Sequence, residues 1–309
     1  MSRHETGCPK AFVLGHPIKH SKSPLLHRAA YRALGVEMEY ERLDTQVDQL
    51  AEVFARHTPE GGTRGFSVTM PLKSAVKDQV DKLTPFAQAL GVVNTVYWQR
   101  GDDGQFTSWG DNTDVSGIVN ALRQAGLVGK PQRAAIIGGG GTATAALAAL
   151  RAMGADGVRV FVRDASRAQG VADAATRLGL NLDFSPIDSF AQSYAEFDVT
   201  ICTLPAGAAD RLLAAANRGK SSGYLLDVSY DPWPSVLAGE WESLGGTVTS
   251  GLEMLVYQAV DQVKLFTGQD RAHPLPQQKE VLAAMRQAVG LPPTGFDPES
   301  VNGPDWLKS

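Results

Sequence analysis

The sequence lacks the features of a secreted, membrane-spanning or disulfide-stabilised protein. Its only cysteines are Cys8 and Cys202, which are too few for a disulfide framework or a cysteine-rich metal centre. No window approaches ~18 consecutive apolar residues, and the amino-terminal segment has no apolar stretch of signal-peptide length. We therefore expect a soluble, cytoplasmic protein that holds no metal.

The sequence also lacks an excess of charge of either sign. Lysine and arginine total 29 against 33 aspartates and glutamates, so the formal net charge is −4. Binding to nucleic acid or to an anionic membrane needs a concentrated basic surface. The balance therefore argues against both partners and leaves room for a local basic pocket that binds one small anion.

Short apolar runs alternate with helical patterns over most of the 309 residues, a length that suits two domains. One alternation runs from "AFVLG" (11–15) to "VVNTVYW" (92–98), and a second starts near residue 114 and reaches "TVTSG" (247–251). This βα rhythm predicts an α/β protein with largely parallel sheets covered by helices. The segment 292–309, rich in proline, glycine and polar residues, is predicted to be a loose tail.

A glycine run follows the strand that opens the second alternation. In "AAIIGGGGTATAAL" (134–147), Gly138, Gly140 and Ala143 fit the pattern G-x-G-x-x-G/A. Small residues let the backbone turn tightly and approach a pyrophosphate, which then lies at the helix N-terminus. The run predicts a nucleotide site, and the alternative is an ordinary glycine-rich turn.

The next strand, "VRVFV" (158–162), tests which dinucleotide is bound. An NAD site expects an acidic residue at the end of this strand to bind the ribose 2′-hydroxyl, whereas Val162 stands there. Arg163 and Arg167 follow, and guanidinium groups suit a 2′-phosphate. The pattern favours NADP. Two alternatives stay open, namely that the arginines are simply solvated and that Asp164 binds a ribose.

Three polar clusters lie in the first part of the chain, in "GHPIKHSKSP" (15–24), "SVTMPLK" (67–73) and "GDNTDVSG" (110–117). In the first, Ser23 is predicted to cap a helix that has Pro24 in its first turn. In the second, Thr69 and Lys73 flank a turn at the carboxyl end of a strand, where open α/β sheets bind ligands. The first and third clusters hold more polar side chains than a helix cap requires, so small-molecule binding is an alternative to capping there. For Lys73, the alternative to a functional role is an ordinary solvated lysine.

In this order and spacing, the segments resemble the shikimate dehydrogenase family from about Phe12 to about Gly268. "SVTMPLK" is similar to the family's N-V-T-x-P-x-K, with Ser67 where asparagine is usual. "GDNTD" is similar to G-x-N-T-D, and "VRDASR" to N-R-T-x-x-R with both arginines retained. Further segments that match are "SKSP", "GVVNT", "GGGGTA", "TLPAG", "DVSYDPWPS" and "GLEMLVYQA".

The resemblance implies NADP(H)-dependent interconversion of 3-dehydroshikimate and shikimate on the route to aromatic amino acids. It implies an N-terminal α/β substrate-binding domain (1–113) completed by helices in 252–291. It further implies a Rossmann-like NADP-binding domain (114–251) and an active site in the cleft between the domains. Monomer and homodimer are both compatible with it.

The resemblance also implies roles for individual residues. Lys73 and Asp114 are the implied proton-transfer pair, and which of the two moves the proton stays open. The implied substrate-binding residues are Ser21, Ser23, Thr69, Asn94, Tyr230 and Gln258. The implied cofactor-binding residues are Gly138, Gly140, Gly141, Thr142, Ala143, Arg163, Arg167 and Gly251. Judged by position alone, Asn94 has an alternative reading as a structural hydrogen-bonding residue within an apolar strand.

Two rival functions remain. One is a quinate/shikimate dehydrogenase that uses NAD or NADP, since Val162 and Asp164 depart from the family pattern beside the adenosine phosphate. The other is a non-catalytic, ligand-sensing paralogue, which would be free to lose Lys73 or Asp114. Because both residues are present, we expect an enzyme.

Overall fold

The computed structural model describes residues 7–216 and 223–301. The β-strands are β1 Lys10–Gly15, β2 Glu39–Asp44, β3 Thr63–Val68, β4 Lys82–Leu83, β5 Thr95–Arg100, β6 Phe106–Asp111, β7 Ala134–Ile137, β8 Gly157–Val162, β9 Asn181–Pro186, β10 Val199–Cys202, β11 Tyr224–Asp227 and β12 Thr247–Ser250. The α-helices are α1 Ser23–Leu34, α2 Leu50–Arg56, α3 Pro85–Leu90, α4 Asp114–Gln124, α5 Gly141–Ala152, α6 Gln169–Leu178, α7 Phe190–Ser193, α8 Val236–Ser243, α9 Gly251–Phe266 and α10 Gln278–Ala288.

The chain forms two compact units, each with its own sheet. The first contains the described residues of Met1–Thr113 and Ala259–Asn302, and the second contains those of Asp114–Gln258. Each sheet has six strands. Helices accompany both sheets, so the α/β prediction is confirmed.

The first sheet has the strand order β2-β1-β3-β5-β6-β4 and is only partly parallel. β1 runs parallel to β2 and β3, whereas β5 runs antiparallel to both β3 and β6. Strand β6 was not predicted from sequence, because the polar residues of "FTSWGD" hide its pattern. Since β6 points the same way as β1 and β3, the carboxyl ends of these three strands and the amino end of β5 share one edge.

Apolar burial explains why the first sheet and its helices hold together. Phe66 and Leu72 are fully buried in a cluster with other residues of β1, β3 and α2. Helix α1 has Pro24 in its first turn and ends at Gly35, which has the left-handed φ of 66°. Its buried face packs against α10, so the carboxyl-terminal helix is part of this unit.

The second sheet is parallel throughout, in the order β12-β11-β10-β7-β8-β9. This is the doubly wound arrangement in which the direction of strand addition reverses between β7 and β10. Ligands bind such sheets outside the carboxyl ends of the strands at the reversal. The glycine run begins at that position, directly after β7.

Residues 292–301 are not loose, contrary to the sequence prediction. They contain no helix or strand, but hydrogen bonds tie them to the first unit. Arg286 Nε donates to Pro292 O at 2.7 Å, and Gln278 Nε2 donates to Asp297 Oδ1 at 2.8 Å. Arg271 Nη2 donates to Val301 O at 3.0 Å. The amino-acid composition predicted a loose tail because composition does not reveal which distant residues a segment will contact. The remainder of 292–309 lies outside the described residues.

A buried ionic network joins α9, the segment after it and β6. Arg271, only 8% exposed, pairs with Asp111 and, through Nη2, with Asp261 Oδ2 at 3.0 Å. Lys264 Nζ lies 3.5 Å from Asp261 Oδ1 and donates to Ser300 Oγ at 2.8 Å. Burial lowers the pKa of Arg271, but its two carboxylate partners raise it by more, so the guanidinium stays charged. The network therefore depends on a fixed cation between two buried anions.

We predict that Arg271→Met lowers the free energy of unfolding by about 3–5 kcal/mol, because it removes the cation paired with buried Asp111 and leaves buried Asp261 with Lys264 alone. Lys10→Met is the control, since Lys10 pairs with Glu39 and Glu41 but has a side chain 42% exposed. Solvent screens such a pair, so little change is expected there. Urea denaturation of both variants measures the difference. Equal midpoints for wild type and Arg271→Met would contradict the prediction.

Candidate active site

The turn between β1 and α1 carries Ser21 and Ser23, and its geometry differs from the prediction. The N-cap of α1 is Lys22, whose side chain makes no capping hydrogen bond, so Ser23 is the first helical residue and not the cap. One residue inside the helix, the Ser23 hydroxyl is no longer placed to accept from the first-turn N–H groups. Instead, Ser23 donates its backbone N–H to Ser21 Oγ at 3.3 Å, and its side chain hydrogen-bonds Tyr40.

Two residues at the end of β2 hold this turn in place. Arg42 donates from Nε and Nη2 to Ser21 O, at 3.0 and 2.5 Å. Asp44 Oδ1 contacts His16 Nδ1 at 2.7 Å, and Asp44 Oδ2 accepts from the backbone N–H of Ile18 at 3.2 Å. These hydrogen bonds lower the pKa of Asp44. Neither residue was predicted as part of the site, although their spacing of two positions in "EYERLD" places both on one face of the strand.

The turn that carries Thr69 and Lys73 follows β3. Leu72, which is fully buried, anchors the turn, and its N–H donates to Thr69 O at 2.9 Å. The carbonyl of Lys73 accepts from the backbone N–H of Val93 at 2.8 Å. Lys73 itself is half-buried. The backbone of this lysine is therefore fixed beside the segment that leads into β5.

Asn94 lies at the amino end of β5 and is 1% exposed. Its Oδ1 accepts from the backbone N–H of Thr113 at 2.7 Å, and its Nδ2 donates to Thr113 Oγ1 at 3.1 Å. The structure thus gives Asn94 the structural hydrogen bonds that its position suggested. It also places Asn94 against the residue that precedes Asp114.

In the second unit, Asp114 is the first residue of α4 and is 1% exposed. Gly117 lies one turn later, on the same face of the helix. A Cβ at Gly117 would stand 2.6 Å from Met254 O and 3.1 Å from Gln258 Cβ. Glycine therefore lets α9 approach α4 closely, which brings Gln258 beside the first turn of α4.

Tyr230 and Gly251 also lie in the second unit, near one another. Tyr230 is half-buried in the loop after β11, and Gly251 begins α9. A Cβ on Gly251 would lie 1.9 Å from Val228 O. The close approach of these two backbones explains the glycine by packing alone.

A cavity of about 250 Å³ opens at the carboxyl end of β7. Gly138 turns the chain there with φ of 110°, and a Cβ at this position would lie 2.5 Å from Thr203 Oγ1. Helix α5 begins at Gly141 without a side-chain cap, so an anion can bind its first-turn N–H groups. The lining residues are Gly138, Gly139, Gly140, Val162, Arg163, Asp164, Arg167, Ala168, Ile187 and Leu204. The predicted Gly141, Thr142 and Ala143 form the first turn of α5 and do not line it.

The cavity fits the adenosine phosphate end of a dinucleotide. Arg163 and Arg167 are exposed and line it together with the glycine turn. Asp164 caps the short 3₁₀ helix Ala165–Ala168, since its Oδ1 accepts from Ser166 N at 3.0 Å and Ser166 Oγ at 2.7 Å. These bonds lower the pKa of Asp164. Capping of this short helix therefore accounts for the acidic Asp164 without a role in binding a ribose hydroxyl.

The described part of the chain contains neither a metal-binding cluster nor a membrane-spanning helix. No group of three or more histidine, cysteine, aspartate or glutamate residues is arranged to hold a metal ion. No helix there is both long and apolar enough to cross a membrane.

The strand order and the glycine turn of the second unit define a dinucleotide-binding α/β protein. Residues 13–96 match the family model for the shikimate dehydrogenase substrate binding domain, and residues 251–270 match that for the shikimate 5′-dehydrogenase C-terminal domain. The NADP(+) shikimate dehydrogenase of Methanothermobacter thermautotrophicus is 33% identical over 86% of this chain and 92% of its own length. The chain belongs to the shikimate dehydrogenase family.

Solved structures agree with this assignment. The Mycobacterium tuberculosis shikimate dehydrogenase is 37% identical, with a TM-score of 0.75, over 90% of this chain and 99% of that one. The Thermus thermophilus shikimate 5-dehydrogenase, solved with NADP(H) and shikimate, is 31% identical with a TM-score of 0.71, over 91% of this chain and 99% of that one. A Corynebacterium glutamicum quinate dehydrogenase with NAD is 25% identical with a TM-score of 0.73, covering 91% and 98%.

The chain also matches part of a larger protein. It is 34% identical, over 87% of its length, to the pentafunctional AROM polypeptide of Yarrowia lipolytica. It spans only 17% of that polypeptide, so the match concerns one segment of it.

Proposed function

We propose that this chain is an NADP-dependent shikimate dehydrogenase, which reversibly reduces 3-dehydroshikimate to shikimate during aromatic amino acid biosynthesis. One observation carries the proposal. In a chain of this family, the Thr69–Lys73 turn, Asn94 and the segment that ends at Thr113 meet at one edge of the first sheet, joined by backbone and side-chain hydrogen bonds. That edge is where an α/β sheet binds its ligand.

The cofactor is assigned to the second unit. The turn at Gly138–Gly140 and the first-turn N–H groups of α5 hold the pyrophosphate, and Arg163 and Arg167 hold the 2′-phosphate. When bound, NADPH supplies the hydride and NADP⁺ accepts it. Gly251 supports this unit through its close backbone packing.

Lys73 and Asp114 are proposed to handle the proton. Reduction of the ketone places negative charge on its oxygen, so a proton must be delivered there, and the reverse reaction must remove it. Lys73 is the donor and acceptor, and Asp114 orients it. Either the Lys73 ammonium or the Asp114 carboxylate could transfer the proton while the other orients it. We therefore propose the two residues as one acid–base pair.

The remaining polar residues orient the substrate. Ser21 and Ser23 bind its carboxylate, on a turn that Arg42 and Asp44 keep rigid. The residues that contact the ring hydroxyls are Thr69, Asn94 and Gln258, and Tyr230 forms a wall of the same pocket. We place the enzyme in the cytoplasm, as a monomer or homodimer. Residues 1–113 with helices from 252–291 form its substrate domain, and residues 114–251 form its cofactor domain.

Initial rates of the purified protein with shikimate and with quinate, each with NADP and with NAD, test the proposal. We expect shikimate with NADP to have the highest kcat/KM of the four combinations. A higher value for quinate with NAD would establish the rival quinate dehydrogenase. Absence of turnover in all four combinations, with retained binding of shikimate, would indicate a ligand-sensing paralogue.

We predict that Lys73→Ala lowers kcat by about 10²–10⁴-fold with a small change in the KM for shikimate, because it removes proton transfer in the transition state. Lys77→Ala is the matched control, since Lys77 is exposed one turn further along the chain. Steady-state kinetics on both variants, with folding checked by circular dichroism, make the comparison. A normal kcat in Lys73→Ala would refute its role.

We predict that Arg163→Ala raises the KM for NADP about tenfold or more and leaves the KM for NAD nearly unchanged. The reason is that only NADP has the 2′-phosphate that the guanidinium binds. Arg133→Ala removes the same charge from the opposite end of the second sheet, where its side chain is 62% exposed, and serves as control. Equal rises for both cofactors in Arg163→Ala would contradict a 2′-phosphate contact.

A further inference from the structure

Gln262 lies on α9, outside the residues so far assigned to the reaction, and is 2% exposed. Its Oε1 accepts from Ser67 Oγ at 2.7 Å and contacts His27 Nε2 at 3.2 Å. Its Nε2 donates to Thr95 Oγ1 at 3.0 Å and to Asn94 O at 3.4 Å. A glutamine amide has two N–H donors and two acceptor positions, so these four contacts satisfy the hydrogen-bonding capacity of the Gln262 side chain.

The contact with His27 determines that the Gln262 amide oxygen faces His27 and that its nitrogen faces Thr95. Burial lowers the pKa of His27 to about 3, so the ring is neutral and carries one N–H. With that N–H on Nε2, the ring donates to Gln262 Oε1, and Nδ1 accepts from Tyr31 OH at 3.3 Å. Since Oε1 is taken by two donors, Nε2 must point to Thr95.

One end of this hydrogen-bond chain reaches the turn assigned to the substrate carboxylate. Tyr40 OH donates to Ser67 Oγ at 2.6 Å, and the Ser67 hydroxyl donates to Gln262 Oε1 at 2.7 Å. Tyr40 also hydrogen-bonds the side chain of Ser23. Ser67 replaces the usual asparagine here, and its hydroxyl both accepts from Tyr40 and donates to Gln262.

The other end reaches Asn94. Because Thr95 Oγ1 accepts from Gln262, its single proton is available to Asn94 Oδ1, which lies 2.8 Å away. Asn94 Oδ1 also accepts the backbone N–H of Thr113. These two donors at Oδ1, together with the bond from Asn94 Nδ2 to Thr113 Oγ1 at 3.1 Å, hold the amide of Asn94 in one orientation.

We propose that Gln262 is a positioning residue of the active site. It helps to fix the orientation of the Asn94 amide through Thr95 and through the carbonyl of Asn94, and it links Asn94 to the turn of Ser23. The inference rests on the proposed function, in which Asn94 contacts the substrate. Gln262 acts through Thr95 and Ser67 and does not touch the substrate itself.

Kinetics of Gln262→Met test the proposal, because methionine has a similar volume and makes none of the four hydrogen bonds. We expect the KM for shikimate to rise about tenfold or more, in line with the loss of buried hydrogen bonds, and the KM for NADP to change less than about twofold. Leu282→Ala, a core truncation in α10 at a leucine 3% exposed, is the control for general destabilisation. It should lower Tm and leave both KM values unchanged.

A double-mutant cycle with Thr95→Val tests the route of the effect. If Gln262 acts on Asn94 through Thr95, the double variant should be no worse than the poorer single variant. Should Gln262→Met not fold, Gln262→Glu replaces it, since glutamate keeps the acceptor for Ser67 and His27 and loses the N–H groups that face Thr95.

Three results would overturn the proposal. They are an unchanged KM for shikimate in a folded Gln262 variant, equal rises in both KM values, and multiplicative effects in the cycle. A wild-type protein without shikimate turnover would instead refute the proposed function. An active wild type with unaltered Gln262 variants refutes the positioning role alone.

Discussion

The backbone of Asn94 is the constraint on which the candidate active site depends. Its carbonyl accepts from Val68 N at 2.7 Å, and its N–H donates to Asp111 O at 3.1 Å. One residue at the start of β5 thus joins the end of β3 to the end of β6. Because β5 runs against both neighbours, its beginning lies where they finish, and three functional segments distant in sequence share one edge of the sheet.

Helix α9 supports this edge in two physically different ways. Asp261 and Lys264 belong to the ionic network around Arg271, which reaches Asp111 at the end of β6. Gln262 belongs to a neutral chain of hydrogen bonds that reaches Asn94. A buried ion pair repays its desolvation only with good geometry, whereas a fully satisfied neutral network specifies orientation without that cost. The ionic network holds the backbone, and the neutral one holds the side-chain amide.

Much of the candidate site could be proposed from sequence because its residues occur in short local patterns. The glycine turn after β7, the paired arginines after β8 and the lysine after β3 each follow a strand that its apolar run reveals. The family resemblance then supplied roles that spacing alone leaves open. Strand β6, the start of α1 at Ser23 and the anchoring of residues 292–301 were not predictable in this way. They depend on partners such as β5, Tyr40 and Arg271, which no local pattern specifies.

The sequence by itself determined the α/β class, the parallel second sheet and the identities of the groups available for chemistry, because periodicity and turn residues act within a few positions. Only the tertiary structure decided that Asn94 hydrogen-bonds Thr113 and that the Asp164 carboxylate accepts a hydrogen bond from Ser166. It alone revealed that Gln262 hydrogen-bonds both Ser67 and the carbonyl of Asn94. Hydrogen bonds between residues as far apart as 67 and 262 depend on how strands and helices pack, and that packing is a property of the whole folded unit.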